Sequence, residues 1–387
     1  MKILLANKFY YRRGGDCIYM LNLEQLLKAH GHEVAVFAMD FPENLETPWK
    51  KYFPSNMSKL KVFTRPFGDT ETRKKFTHLL EDFKPDVVHL NNIHTQLSPI
   101  IGEIAHQKGM RVVWTLHDYK LLCPRYDCIR GGENCELCFG DNANKKDCLK
   151  YSCMKGGKLG SWIGYREAVK WNGARLQGNT DVFICPSKFM AGKMAQGGFD
   201  SKKLVPLRNF IDVEKCESDN QRKGDYYCYV GRLSHEKGVQ TLIEAANQLP
   251  YKLVVIGGGP LMDECKAKAK DNIEFVGFKQ WNEIKTLVGG TRFSVIPSEW
   301  YENNPLSVIE AECLGTPVLG ARIGGIPELI EEGKTGMTFT SKDVADLKDK
   351  IQKMWDTPFN YAEIAEQSMQ RYNAEKYYQD IIKIYEG

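Results

Sequence analysis

The sequence predicts an α/β protein built from two Rossmann-like, doubly wound domains that face each other across a cleft. Short apolar runs alternate with helical patterns, the alternation occurs in two successive series, and the 387 residues favour two domains. Alternating strands and helices are typical of parallel sheets covered by helices on both faces. In such folds ligands bind beyond the carboxyl ends of the strands.

The first series predicts an N-terminal domain over residues 1–205. Between its first two apolar runs, Met20, Leu23 and Leu27 recur at spacings of three and four. This spacing indicates an amphipathic helix, which Asp16 is positioned to cap. The strands predicted in this domain are Met1–Ala6, Glu33–Ala38, Asp86–Leu90, Arg111–Leu116 and Asp181–Pro186.

The second series begins after a connecting segment at 205–212 and predicts a C-terminal domain over residues 206–370. Helical patterns at 239–248 and 261–269 separate its apolar runs, and a tyrosine-rich segment with helical composition, 371–387, follows it. The strands predicted in this domain are Tyr227–Val230, Lys252–Ile256, Ile273–Val276, Phe293–Pro297 and Val318–Leu319.

Composition and charge narrow the class of protein. Hydrophobic residues make up 42% and charged residues 26% of the chain, as in ordinary globular proteins. The net charge of +4 is too small to indicate a nucleic-acid partner. No apolar run reaches the roughly 18 residues that span a bilayer, and the first residues have the pattern of a strand and not of a signal peptide. We therefore expect a cytoplasmic protein whose 12 cysteines are reduced.

The segment Ser298–Glu328 is the strongest candidate for a binding site. It follows a predicted strand and leads through a polar loop into a predicted helix near 307–314. N–H groups at a helix N-terminus favour an anion, and carboxylates such as those of Glu302 and Glu310 accept hydrogen bonds from hydroxyl groups. This combination indicates a site for a diphosphate with attached sugars. The backbone donors expected there belong to Asn303, Asn304, Leu306 and Ser307.

Each domain also has a glycine-bearing loop after its first strand. In the N-terminal domain, Gly14 and Gly15 either let the backbone approach a ligand or form a plain turn. In the C-terminal domain, Gly231 begins a loop that carries Arg232 and Lys237. Arginine and lysine both suit phosphate oxygens, although an ordinary solvated basic loop is the alternative.

Several motifs occur together in a specific order and spacing. They are Gly231-Arg232, Lys237-Gly238, Pro297-Ser298-Glu299, Glu310-Ala311 with Gly315-Thr316-Pro317-Val318, and Gly324-Gly325-Ile326-Pro327-Glu328. In combination they resemble the retaining glycosyltransferases of family 4, which have the two-domain GT-B fold. Glu302 and Glu310 match the E-x7-E pair of that family. Asn303-Asn304-Pro305 replaces the Gly-Phe-Gly that many members have after the first glutamate, so the resemblance does not assign the donor sugar.

The resemblance implies a role for each matching residue. Arg232 and Lys237 would hold the diphosphate of a UDP- or GDP-type donor and stabilise the charge that develops as the sugar departs. Glu302 would bind hydroxyls of the transferred sugar, and Glu310 would bind the ribose. In similar enzymes the last helix, here within 371–387, often crosses back to the first domain, with packing inside the second domain as the alternative. The backbone that would complete the donor site belongs to Gly14, Gly15, Gly231, Val276, Gly277, Phe278, Asn303, Asn304, Pro305, Leu306 and Ser307.

Polar residues also follow two predicted strands of the N-terminal domain. His117 ends the fourth strand, and the resemblance implies that it contacts the transferred sugar. Asp118 is a weaker candidate that would orient the loop. Asn91, Asn92 and His94 follow the preceding strand and are candidates for the acceptor side, although asparagines after strands are also common turn formers.

The sequence has no Asp-x-Asp motif, the usual carboxylate clamp for a nucleotide-bound metal. We therefore expect a metal-independent enzyme that requires no cofactor, in which Arg232, Lys237 and helix amides supply electrostatic stabilisation. The resemblance implies retention of configuration by attack from the leaving-group face, without a protein nucleophile. Two alternatives remain open: a nucleotide-sugar 2-epimerase on the same scaffold, and a nucleotide-sugar-binding protein without turnover.

A cysteine-rich loop, 123–153, follows the fourth predicted strand and has little helical or strand periodicity. A structural zinc bound to four thiolates would order such a loop. Disulfides and free thiols are the alternatives. The cysteines whose spacing approximates a zinc site are Cys135, Cys138, Cys148 and Cys153.

The region after the second predicted strand is basic and aromatic, as expected of a surface that touches anionic lipid. The resemblance implies a saccharide or lipid-linked acceptor, used in cell-surface polysaccharide biosynthesis. We therefore expect peripheral contact with the inner face of a membrane, with an ordinary solvated surface as the alternative. The residues concerned are Trp49, Lys50, Lys51, Tyr52, Phe53, Lys59, Lys61, Arg65, Arg73, Lys74 and Lys75.

Overall fold

The structure is a computed structural model that describes residues 1–56, 61–141, 143–212, 216 and 223–387. It divides into two compact units. The N-terminal unit contains the final segment of the chain as well as its beginning. Its residues are Met1–Arg130, Asn134–Arg208 and Glu375–Gly387, and those of the C-terminal unit are Gly131–Glu133 and Asn209–Ala374.

The N-terminal unit is organised around a six-stranded sheet in which every pair of neighbours is parallel. Its order is β2-β1-β3-β4-β7-β8, and Ile3 of β1 lies between Val34 of β2 and Val87 of β3. Strands buried on both faces are continuously apolar, which explains why the sequence revealed most of them. The strands are β1 (Lys2–Ala6), β2 (Glu33–Phe37), β3 (Val87–Leu90), β4 (Arg111–Thr115), β7 (Val182–Cys185) and β8 (Leu204–Pro206), with the short β5 (Ile129–Arg130) and β6 (Glu133–Asn134) in the cysteine-rich loop.

Helices cover this sheet. The predicted first helix begins at Gly15, and its N-cap is Gly14, which provides no side-chain cap. The prediction that Asp16 caps it is therefore wrong, because Asp16 lies inside the first turn, where its charge favours the positive end of the helix dipole. The helices are α1 (Gly15–Ala29), α2 (Thr70–Phe83), α3 (Ile100–Gln107), α4 (Asp147–Lys150), α5 (Gly157–Lys170), α6 (Gly173–Gly178), α7 (Lys188–Gln196) and, at the end of the chain, α14 (Ala374–Glu386).

Helix α14 is held by hydrogen bonds inside the N-terminal unit. The Tyr377 hydroxyl lies 2.5 Å from that of Tyr19, and the Tyr385 hydroxyl lies 2.6 Å from Nδ1 of His89. His89 is fully buried, and its Nε2 lies 2.7 Å from the Thr115 hydroxyl. Burial lowers the pKa of His89 to about 3. A neutral imidazole therefore links the end of the chain to the central sheet.

The C-terminal unit repeats the architecture with a second six-stranded sheet of parallel neighbours, in the order β11-β10-β9-β12-β13-β14. The chain reverses its direction of winding between β9 and β12, which is the switch point where ligands bind in such sheets. The predicted fold class, two doubly wound α/β domains, is confirmed. The strands are β9 (Tyr226–Val230), β10 (Lys252–Ile256), β11 (Ile273–Gly277), β12 (Ser294–Ile296), β13 (Val318–Ala321) and β14 (Gly336–Phe339).

The helices of the C-terminal unit pack apolar faces against this sheet. In α8, Val239, Leu242 and Ile243 are buried, at the spacing of one helix face. The helices are α8 (Val239–Ala246), α9 (Met262–Lys268), α10 (Trp281–Gly289), α11 (Leu306–Cys313), α12 (Val344–Asp356) and α13 (Tyr361–Arg371). Among the residues that the structure describes, no helix is both long and apolar enough to cross a bilayer.

The basic and aromatic region after β2 is exposed only in part: Lys50, Lys51, Arg73 and Lys74 are exposed, whereas other members of the set are buried. Tyr52 and Phe53 are buried in the core. Arg65 is fully buried, where it pairs with Asp69 and Glu71, both at 2.9 Å. Lys59 lies outside the described residues.

Candidate active site

Glu302 lies in the loop between β12 and α11, and its carboxylate forms an ion pair with Lys237. Its Oε1 accepts hydrogen bonds from Nζ of Lys237 at 2.6 Å and from the hydroxyl of Ser298 at 2.8 Å. The residue is 7% exposed. Burial alone would raise the pKa of Glu302, but the Lys237 ammonium and neighbouring hydrogen bonds outweigh burial and lower it. The carboxylate is therefore ionised at neutral pH.

Two glycines with positive φ let the backbone come close enough to form this pair. A Cβ on Gly324 would lie 2.2 Å from the Glu302 carbonyl oxygen, and a Cβ on Gly238 would lie 1.9 Å from that of Pro297. The neighbouring Gly325 N–H donates to the Glu302 carbonyl at 2.7 Å. The predicted motifs therefore require glycine at these two positions, because a Cβ would clash with the backbone.

The loop after β9 carries the basic residues that the sequence singled out. Lys237 pairs with Glu302, and its ammonium lies 5.0 Å from the centre of the Trp300 ring. Arg232 is exposed, and its carbonyl accepts a hydrogen bond from the Tyr229 hydroxyl at 2.8 Å. Gly231 donates to the Ile256 carbonyl at 3.0 Å. Lys237 and Glu302, which were expected to serve different parts of a donor, form one ion pair.

Helix α11 begins directly after Pro305, its N-cap residue. The N–H groups of Leu306 and Ser307 open the first turn, where a helix has no internal acceptors for them. Asn304 is 5% exposed and binds Asn209 twice: its Oδ1 accepts from the Asn209 backbone at 2.9 Å, and its carbonyl accepts from the Asn209 side chain at 3.0 Å. Asn304 therefore stabilises the entry to the helix, and Asn303 precedes it in the same loop.

Glu310 lies inside α11 and differs electrostatically from Glu302. Burial raises the pKa of Glu310 to about 7, and no cation among the described residues offsets this effect. A carboxyl group with such a pKa can both donate and accept hydrogen bonds near neutral pH. At the end of β11, Val276 and Gly277 are half-buried, while Phe278 is 78% exposed.

In the N-terminal unit, His117 follows β4 and is half-buried. Its Nε2 lies 3.0 Å from Oδ1 of Asn91, and its ring contacts the ring of Tyr19 edge-on at 5.0 Å. Burial lowers the pKa of His117 to about 4, against a smaller opposing effect of Asp16. The imidazole is therefore neutral at pH 7. With the Asn91 amide in this orientation, Nε2 carries the proton and Nδ1 is left as the acceptor.

Asn91 is almost fully buried, and among the described residues its Nδ2 has no hydrogen-bond partner. Its neighbour Asn92 donates to Asp16 at 3.2 Å. His94 stacks on Trp114 at 5.3 Å, and burial holds its pKa well below the usual value. Of the three residues proposed from the end of β3, Asn91 is thus the one in contact with His117.

A group of charges near the ends of β1 and β4 was only partly anticipated. Burial lowers the pKa of Lys8, although the nearby charges of Asp16 and Asp118 offset part of this effect. Burial also raises the pKa of Asp118 to about 6, and its Oδ1 accepts from the Lys120 backbone at 2.9 Å. Sequence analysis missed Lys8, whose signal was a charged residue shortly after a buried strand. Gly14 and Gly15 form the adjacent start of α1.

The predicted zinc site is not present. Among the described residues, no group of three or more His, Cys, Asp or Glu side chains could hold a metal ion. The thiols form hydrogen bonds instead: Cys148 donates to the Ser161 carbonyl at 3.8 Å, and the Cys123 and Cys138 thiols are hydrogen-bonded to each other. The structure therefore does not support the prediction of zinc at Cys135, Cys138, Cys148 and Cys153. All 12 cysteines are free thiols.

Comparison with known proteins identifies the family. Residues 13–215, which are 203 of the 387 residues, match Glycosyltransferase Family 4. Residues 211–377 match Glycosyl transferases group 1. The chain belongs to glycosyltransferase family 4. Its identification as a glycosyltransferase from the combined motifs is confirmed.

Two relatives match this family 4 glycosyltransferase over most of their length. The uncharacterized glycosyltransferase MJ1178 of Methanocaldococcus jannaschii is 25% identical over 360 residues, covering 92% of this chain and 88% of that protein. An uncharacterized 42.6 kDa protein in the cps region of Klebsiella pneumoniae is 24% identical over 417 residues, covering all of both chains. The crystal structure of Anabaena Alr3699/HepE in complex with UDP has a TM-score of 0.71 at 17% identity and 99% coverage of both chains. This likeness confirms the GT-B fold.

Proposed function

We propose that this protein is a retaining, metal-independent glycosyltransferase that moves a hexosyl residue from a UDP- or GDP-sugar to a saccharide or lipid-linked acceptor. The observation that carries the proposal is the 2.6 Å pair of Lys237 and Glu302 beside the start of α11. The pair places an ionised carboxylate, which binds sugar hydroxyls, next to a cation that suits phosphate. Support also comes from the UDP complex of the Anabaena relative and from the cps region of the Klebsiella relative.

In the proposed donor complex, the N–H groups of Leu306 and Ser307 and the Arg232 side chain bind the diphosphate. Glu302 accepts hydrogen bonds from the transferred sugar. Glu310 binds the ribose hydroxyls, and the backbone of Val276–Phe278 lies beside the base. Cell-surface polysaccharide is the product class we propose, made in the cytoplasm at the inner face of the membrane.

The proposed reaction needs one stabilised leaving group and one proton acceptor. The bond between the anomeric carbon and the diphosphate oxygen breaks while the acceptor hydroxyl forms a new bond from the same face. The acceptor proton passes to an oxygen of the departing diphosphate. Lys237 and Arg232 stabilise the negative charge that develops there. No protein nucleophile and no metal are needed in this scheme, which is consistent with the missing Asp-x-Asp motif.

The N-terminal unit has the groups for the sugar and the acceptor. A neutral His117 provides an uncharged hydrogen-bonding group for a hydroxyl of the transferred sugar. Gly14 and Gly15 let the backbone at the start of α1 approach the phosphate. Lys8 and Asp118, near the ends of their strands, are proposed to bind the acceptor.

A donor screen with a matched variant tests this function. The unfolding temperature is measured with UDP-, GDP-, ADP- and CDP-sugars, and one nucleotide class should raise it. The increase should be measurable, because a ligand at a hundred times its Kd stabilises the folded protein by about 2.7 kcal/mol. The donor is then incubated with saccharide and lipid-linked acceptors. Glu302→Gln keeps the shape of the side chain and should reduce transfer by about 100-fold or more.

The products distinguish the alternatives to transfer. An isomerised nucleotide sugar would indicate an epimerase, and binding without any product would indicate a sugar-nucleotide sensor. Circular dichroism of Glu302→Gln serves as the control for folding. Unchanged transfer in the folded variant would contradict the central role of the Lys237–Glu302 pair.

A further inference from the structure

The outward face of α5 exposes large apolar side chains that no part of the described chain covers. Leu159 is 57% exposed, Trp162 48% and Val169 46%. Their spacings of three and seven place them on one side of the helix, within an arc of about 100°. Most of the exposed apolar area of the helix therefore forms one stripe and is not scattered.

The same face carries only positive charge. Lys158 and Arg166 fall within the arc, and the Arg166 guanidinium lies 5.8 Å from the centre of the Trp162 ring. The single acidic residue of the helix, Glu167, is 3% exposed and forms a buried ion pair with Lys120 at 2.8 Å. No acidic side chain of α5 offsets the basic residues on its outer side.

The helix is fixed to the N-terminal unit through its opposite face. Ser161, Ile163 and Gly164 are buried. At its C-terminal end, Nζ of Lys170 donates to the Phe67 carbonyl at 2.6 Å, and Nε1 of Trp171 donates to the Pro66 carbonyl at 2.7 Å. The stripe is therefore presented on a rigid support and cannot turn inward to cover itself.

The surface beside α5 also carries exposed apolar side chains. The turn at Arg65–Phe67, which contacts α5, also contacts the turn at Lys61–Phe63. In that second turn Val62 is 38% and Phe63 46% exposed. Apolar and basic groups thus continue from the end of the helix onto the neighbouring surface.

We propose that the outward face of α5 docks on the surface of an anionic membrane. A helix that presents tryptophan and aliphatic side chains between lysine and arginine inserts its apolar face at the headgroup boundary, while the cations attract anionic lipid. Three apolar side chains are too few for a standard protein interface, which buries about 800 Å² on each partner. The charge pattern therefore selects a lipid surface. The inference rests on the membrane location in the proposed function and assigns that location to one helix face, although membrane binding itself needs neither donor nor turnover.

Vesicle sedimentation of the full chain tests the proposal. Binding is measured to vesicles of phosphatidylcholine alone and of phosphatidylcholine mixed with phosphatidylglycerol. The wild-type protein should sediment with the anionic vesicles and be released by high salt. Leu159→Ser/Trp162→Ser should abolish sedimentation, and Lys158→Glu/Arg166→Glu should weaken binding by about fivefold or more for each charge removed.

Matched variants control for fold and net charge. Leu45→Ser removes an apolar side chain of 46% exposure on the same unit, and Lys84→Glu/Lys202→Glu makes the same change in charge at two exposed residues outside α5. Neither should alter binding, and the UDP-sugar thermal shift should be retained by every variant. Equal binding of wild type and both α5 variants would overturn the proposal. So would a dimer of the wild-type chain that Leu159→Ser/Trp162→Ser disrupts, because the stripe would then belong to a second copy.

Discussion

Glu302, in the loop before α11, and Glu310, inside α11, show how the local environment gives two residues of one motif different pKa values. Glu302 is buried beside Lys237, and the cation lowers its pKa. Glu310 is half-buried with no cation beside it among the described residues, and burial raises its pKa to about 7. The first is held as an anion, whereas the second can gain a proton near neutral pH. Their eight-residue separation was visible in the sequence, but their different charges depend on which neighbours the fold supplies.

Glu310→Gln should flatten the pH dependence of stability. The folded-state pKa of about 7 exceeds the ordinary value of 4.5, so the folded protein binds more protons between these values. Stability should therefore fall as pH rises from 4.5 to 7, by up to about 1.4 kcal/mol for each pKa unit. The glutamine variant removes this contribution, which urea unfolding at several pH values would measure.

Glu312 provides a matched control for the function of Glu310. It lies in the same helix, burial also raises its pKa to about 7, and it is fully buried beside the Tyr372 hydroxyl at 3.1 Å. Glu312→Gln should flatten the pH dependence in the same way. Only Glu310→Gln should weaken binding of the nucleotide. Equal weakening in both variants would contradict a role for Glu310 at the ribose.

Asn91 offers a test of the charge state of His117. Asn91→Asp places a carboxylate 3.0 Å from Nε2 and should raise the pKa of His117 by about 1 to 3 from its value of about 4. The acidic limb of the pH profile of kcat should move upward accordingly. Asn91→Ala should lower kcat at every pH without moving this limb, because it removes orientation and adds no charge. An unmoved limb in Asn91→Asp would show that the imidazole need not be neutral.

At the scale of elements, the sequence predicted most strands of both sheets because strands buried on two faces are continuous apolar runs. It missed β8 and β14, which are short edge strands that begin or end at Pro206 and Gly336. The sequence also predicted Asp16 as the N-cap of α1, whereas the N-cap is Gly14. Residue propensities do not determine which residue of a polar turn becomes the N-cap.

The candidate site was predictable in part for a similar reason. The motifs of the C-terminal unit contain glycine, basic residues and glutamate, and they follow the ends of strands. The topology of the sheet brings such residues together. The ion pair of Lys237 with Glu302 depends on contacts across 65 positions of chain, which spacing does not reveal. Zinc was predicted from spacing alone, and among the described residues the fold brings no group of three or more such ligands into a metal-binding arrangement.

Gly324→Ala should destabilise the loop that holds Glu302. The residue has φ +59, and an added Cβ would lie 2.2 Å from the Glu302 carbonyl oxygen. We expect a loss of about 1–3 kcal/mol together with weaker transfer. Gly333→Ala separates the two causes, because Gly333 has φ +77 with no atom near its added Cβ. Gly333→Ala should therefore show only the smaller cost of placing alanine at a positive φ. Thermal unfolding of both variants would measure the two losses of stability.

At the scale of the whole molecule, the return of α14 to the N-terminal unit should contribute to stability. Tyr385→Phe leaves Nδ1 of the fully buried His89 without its partner and should cost about 1–3 kcal/mol. Tyr378→Phe is the matched control on the same helix, since its hydroxyl bonds to the partly exposed His32. It should cost less than about 1 kcal/mol. Denaturant unfolding would compare them, and equal costs would contradict the structural role of the buried pair.

The place of Glu375–Gly387 in the N-terminal unit has a consequence for synthesis on the ribosome. Domains generally fold in order from the N-terminus as the chain emerges. Here the sheet of the first unit is made early, but the helix that supplies Tyr377 and Tyr385 emerges after the C-terminal unit. The C-terminal unit therefore has its complete sequence while the N-terminal unit still lacks a part. The first unit to begin folding is the last that can finish.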